Sequence, residues 1–118
     1  MMPKFLDSLE LLENARNQNL YENLVRQLLK DFSLANVPID FSLDVTAKHL
    51  KAGLQEKIYV LILEKFTDYL NLLYVVDVPE KAFKKIKTVD VVEVAEQVSF
   101  LILEREWQKV WFKTKYAS

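Results

Sequence analysis

The run from Leu54 to Val76, LQEKIYVLILEKFTDYLNLLYVV, narrows the folds open to this chain more than any other. Leu54, Ile58, Leu61, Ile62, Phe66, Tyr69, Leu70, Leu73 and Val76 recur at steps of three and four, the period of one face of an α-helix. Ile58 to Leu63 is apolar without a break, so this helix presents apolar surface on nearly every side. A helix of that kind is covered by neighbours in a bundle or by another subunit.

The rest of the chain reads as helices to surround it. A single glycine and three prolines supply few of the positive-φ positions that a turn-rich β fold needs. Phe5, Leu6, Leu9 and Leu12 give one apolar side to a short helix over residues 3–13, with Pro3 in its first turn. Asn14 to Asn19 reads as a connector, or as the polar face of the same helix continued. Asn19 and Glu22 have capping-box spacing ahead of the cleanest amphipathic pattern, Leu20, Leu24, Leu28 and Phe32, which should end near Asn36 before Pro38. Val37, Ile39, Phe41, Leu43 and Val45 alternate as a strand would, but one strand cannot satisfy its own backbone, so an extended linker against the bundle is expected. Thr46 or Asp44 caps the next turn, and Gly53 is the one available break before the central helix.

Pro79 stops that helix near Asp77 and opens a short one over residues 79–86, anchored by Phe83 and Ile86. Asp90 with Glu93 then caps a last helix over 91–113, whose apolar side is Val91, Val94, Ala95, Val98, Leu101, Ile102, Trp107, Val110 and Trp111, interrupted by Arg105. Its β-branched residues also suit a strand, but Arg105 to Gln108 lacks the residues that turn a hairpin. Leu61-Ile62-Leu63-Glu64-Lys65 is echoed by Leu101-Ile102-Leu103-Glu104-Arg105, by duplication or by independent use of leucine and isoleucine in two buried helices; either way these consecutive long helices are natural core neighbours. The expectation is one all-α domain over 1–118, a helical bundle of about four main helices with one or two short accessory helices.

Several function classes fall away. With no cysteine there is no disulfide framework, thiolate nucleophile or cysteine-based metal site. Acidic residues interrupt the N-terminal stretch where a secretory leader needs its apolar core, and Glu64 with Lys65 cuts the longest membrane-span candidate, so a cytoplasmic protein without membrane insertion is expected. His49 is the only histidine and stands beside no nucleophile motif, so no catalytic residue, metal or cofactor is assigned and no small-molecule ligand is identifiable.

Three readings of function remain. The first is protein–protein contact with another protein or with a second copy as a homodimer, through Leu72, Tyr74, Val75, Trp107, Trp111 and Phe112, since the apolar surface exceeds what the short partner helices can cover. The second is nucleic-acid binding by Lys81, Lys84, Lys85, Lys109 and Lys113 with neighbouring aromatics, which the net charge of −1 weakens. The third is an enzyme or metal site built on paired carboxylates, Glu64 and Glu104, each closing its Leu-Ile-Leu run.

Overall fold

Residues 4–116 are described by the computed structural model, and within them the chain forms six helices and no strand. They are α1 (Ser8–Asn17), α2 (Tyr21–Leu34), α3 (Ala47–Glu64), α4 (Phe66–Val76), α5 (Glu80–Lys84) and α6 (Val91–Tyr116). The expected all-α bundle is what forms, while the helical turn assigned to Pro3 lies outside the described residues. No helix among the described residues is long and apolar enough to cross a membrane.

The centre of the bundle is α6, which packs against all five other helices and most extensively against α3. At 26 residues it is about 39 Å long, enough to give each of them a place along its length. The strand alternative for this segment is thereby removed. Its buried seam is Ala95, Val98, Ser99, Ile102, Leu103, Glu106, Trp107 and Val110, so the charged residue interrupting the apolar side is Glu106 and not Arg105.

The run Leu54–Val76 is two helices, not one. It breaks at Lys65, whose φ of −143° and ψ of 62° leave the helical region. No proline or glycine stands there, so the cause lies in the pattern. Continued past Leu54, Ile58 and Leu61 at the same period, the buried seam would next place Lys65 in the core and then Tyr69, Leu72 and Val76. Burying an unpaired ammonium costs far more than a few backbone hydrogen bonds. Breaking the helix leaves Lys65 exposed while both apolar segments stay buried.

Gly53, the expected break, is inside α3 and unbroken helix runs through it. Its role is contact. A Cβ there would meet Phe41 Cε1 at 2.8 Å and Cζ at 2.9 Å, so the missing side chain is the space the phenyl ring occupies. Phe41 belongs to the segment 37–45, which runs without regular structure to Ser42 and then turns at Leu43 and Asp44, where Val45 N–H bonds Ser42 C=O at 3.1 Å. Val37, Ile39, Phe41, Leu43 and Val45 pack on the core, and the residues between them face out. The Tyr21 hydroxyl donates to the Val45 carbonyl at 2.6 Å, fixing the end of this strap to the start of α2.

With so little glycine, other residues terminate the helices. Asn19, Asn36 and Asp77 have φ of 58°, 58° and 70°. Each ends its helix in the same way: Leu20 N–H bonds Ala15 C=O, Val37 bonds Phe32 and Val78 bonds Leu73, the six-to-one closure of a left-handed cap. Asn19 is therefore the stop of α1 and not the N-cap of α2; that cap position is Leu20, without a side-chain bond. The helix α1 accordingly runs on through the polar stretch to Asn17. Asp7, Thr46 and Asp90 do cap their helices, accepting from the N–H groups of Glu10, His49 and Val92.

Candidate interaction surface and buried charge cluster

The outer face of α4 carries Phe66, Leu70 and Tyr74 at successive four-residue steps, and they are 54%, 45% and 83% exposed. Leu63, in the last turn of α3, is also 54% exposed. The adjoining face, Tyr69, Leu72, Leu73 and Val76, is buried. With about 200 Å² for a whole large side chain, these four leave on the order of 450 Å² of apolar surface in water. Beside the stripe, Leu70, Leu73, Tyr74, Val78 and Phe83, together with Asp77 and Glu80, line a groove of about 210 Å³ between α4 and α5.

The side chains expected to form an interface divide. Leu72 and Trp107 are fully enclosed by the chain's own helices and are core residues, which corrects their assignment to a contact surface. Val75 and Trp111 are half-buried. Tyr74 is exposed on the α4 stripe, and Phe112 is exposed at the far end of α6, stacked on Tyr116 with ring centroids 5.9 Å apart. Sequence reasoning passed over Leu63, Phe66 and Leu70. The signal was present: once Lys65 is placed outside, the 66–70–74 row falls on the flank of the 69–72–76 seam, outside the buried arc.

The lysines do not form one basic track. Lys85 lines a cleft with Glu96, Gln97, Phe100 and Leu101 of α6. Lys109 and Lys113 lie 8 to 17 residues further along that helix, roughly 12–26 Å away. Lys84 is paired with Glu80, one turn earlier in α5, and Lys81 is exposed on the same helix. Arg105, Lys109 and Lys113 share a face, but each is committed to a different partner. Arg105 donates to the Asp77 carbonyl and carboxylate at 3.0 Å, Lys109 to Asp31 at 2.6 Å and Lys113 to Gln27 at 2.7 Å.

Glu64 is exposed at the end of α3. Glu104 is half-buried, and burial raises its carboxyl above the usual range against the opposing pull of Lys4. Glu64 makes no hydrogen bond to Glu104, and no group of three metal-capable side chains converges among the described residues.

The carboxylate pair that does form is Glu106 with Asp31. Glu106 is 0% exposed and Asp31 is 4% exposed, and they meet where α6 packs on α2. As an anion Glu106 has no donor for either oxygen; Lys109 Nζ stands 3.6 Å from Oε1, too far for a hydrogen bond. Burial first, then the hydrogen bond and negative charge of Asp31, push the Glu106 carboxyl up to about 10. It is therefore a neutral acid at pH 7, able to donate to Asp31. Burial pushes Asp31 upward too, but Glu106, Lys109 and Gln27 outweigh it and hold Asp31 below the usual carboxylate range. Gln27 Nε2 donates to its second oxygen at 3.2 Å.

Compared with known proteins, the chain matches no family model, no curated protein and no solved structure.

Proposed function

We propose that this protein is a helical interaction module that pairs reversibly with a second copy of itself through the exposed face of α4. The observation that carries this reading is the Phe66–Leu70–Tyr74 stripe, extended by Leu63, on a helix whose other face is already buried. A patch of this size matches the largest apolar patch on a typical monomer, the kind that is often a binding site. Two such stripes bury about 900 Å², and side chains at the rim bring the total to the low end of specific interfaces, the class of transient complexes. The groove beside Leu70 and Phe83 has room for an aromatic side chain from the partner, so one face supplies both projection and recess. That self-complementarity is what a two-fold contact needs. No reaction is assigned.

The test is light scattering coupled to size-exclusion chromatography over a range of loading concentrations. The expected result is a monomer–dimer equilibrium in the micromolar range, insensitive to moderate salt. Leu70→Glu or Tyr74→Glu should abolish the dimer without lowering the melting temperature, because both side chains are exposed. A strictly monomeric wild-type protein at high concentration refutes the pairing, and so does a dimer that survives both substitutions.

A further inference from the structure

Between α2 and α6, close to the buried carboxyl pair but on the surface, lies a groove of about 220 Å³ with a one-signed lining. Arg26 and Lys30, one turn apart on α2, form one wall and Lys113 of α6 the other, with Asn23 at the edge. Gln27 and Val110, both buried, make the floor. No acidic side chain lines this groove, and none of its three cations takes part in a salt bridge among the described residues.

One wall is held in place from below. Lys113 Nζ donates to Gln27 Oε1 at 2.7 Å, Gln27 Nε2 donates to one oxygen of Asp31 at 3.2 Å, and Lys109 holds the other oxygen at 2.6 Å. The relay spends one of the three Lys113 donors and leaves two free. It also neutralises the charge underneath: Asp31 is matched by Lys109, and Glu106 carries its proton. Three cations thus line a small recess with no counter-charge on its walls and none left over beneath.

We propose that this groove binds a single phosphate-type dianion, either inorganic phosphate or the phosphoryl group of a phosphomonoester. Charge complementarity sets the sign, and the planar guanidinium of Arg26 can take two oxygens of one tetrahedral group. The groove, about 220 Å³, has room for one such group. A polynucleotide needs cations that follow successive phosphates, and the lysines expected to form such a track divide, with Lys81 and Lys84 on α5 and Lys109 tied to Asp31. This inference is independent of the pairing through α4, which uses a different helix.

The experiment is a nuclear magnetic resonance titration of the full chain with inorganic phosphate, with phosphoserine and with a short single-stranded oligonucleotide, at constant ionic strength. Saturable shifts confined to the α2–α6 groove are expected with the first two ligands. Arg26→Gln should weaken them at least tenfold, as should Lys113→Gln, while Lys84→Gln leaves them unchanged. Because Arg26 is exposed and bonded to nothing buried, its variant tests binding without disturbing the fold. Tighter binding of phosphoserine assigns the site to a phosphomonoester, and equal binding assigns it to the free anion. The proposal is overturned by three results: no saturation by about 10 mM, equal binding in Arg26→Gln, or an oligonucleotide that binds far more tightly than either small ligand.

Discussion

Glu106 makes the stability of this fold depend on pH in a direction opposite to that of most acidic residues. In the unfolded chain its carboxyl loses a proton near 4.5; in the fold it keeps it up to about 10. Between those values the native state binds one more proton than the unfolded state, so stability falls as pH rises, by about 1.4 kcal/mol per unit. From pH 6 to pH 8 the loss is about 3 kcal/mol, a large part of what a domain of this size has to spare. For a chain of 118 residues that corresponds to a fall of roughly 10 °C in melting temperature. Asp31 works the other way: its lowered carboxyl contributes stability that disappears only as pH falls below about 4. Optimum stability should therefore lie near pH 4–5. The perturbation is Glu106→Gln, which keeps the shape and a donor toward Asp31 but has no proton to lose. Thermal denaturation followed by circular dichroism at pH 6, 7 and 8 should show a steep slope in the wild type and a nearly flat one in the variant. The variant should also be the more stable protein at pH 8. Equal slopes, or a Glu106 carboxyl resonance that titrates below pH 6, would refute the reasoning.

Two further substitutions test the packing. Lys109→Met removes the cation beside Asp31, which is buried, and should cost about 3–5 kcal/mol in chemical denaturation; adding Asp31→Asn should recover most of it, since the uncompensated charge is then gone. Gly53→Ala would ordinarily stabilise a helix interior by about 1 kcal/mol, but here it should destabilise, because the new Cβ meets the Phe41 ring at 2.8 Å. Combined with Phe41→Leu, the same change should lose its penalty, and a double-mutant cycle that finds the two sites additive would contradict the contact.

How far the structure could be read in the sequence depends on whether the information was periodic. The helical class, the strap at 37–45 and the caps at Thr46 and Asp90 follow from spacing and from the chemistry of single residues. The end of α2 near Asn36 follows from Pro38, but the stop of α1 was harder, because Asn19 fits a cap, a turn or a connector equally well on paper. Its left-handed φ shows which role it takes, and with glycine almost absent from the chain some other residue had to take it. Trp107 misled for a different reason. A large aromatic in a surface-rich helix suits an interface and a core alike, and only the arrangement of five helices around α6 decides between them.

Lys65 and Glu106 present one problem with two physical solutions. Each is an ionisable side chain on a buried helical seam, and each seam is apolar over the adjoining turn on either side. At Lys65 the seam gives way: the helix breaks, the ammonium reaches water, and the cost is a handful of backbone bonds. At Glu106 a break would divide the one helix against which all the others pack, so the helix holds and the charge gives way. A carboxyl can do this by keeping its proton, with Asp31 and Lys109 beside it to receive the hydrogen bond and balance the field. Breaking the chain at Lys65 has a second consequence, since it sets α4 as a separate helix with Phe66, Leu70 and Tyr74 turned outward. The apolar face on which pairing is proposed thus follows from how the chain disposed of a single lysine. A Lys65→Leu variant should fuse α3 and α4 into one helix and weaken pairing even though every residue of the stripe is intact.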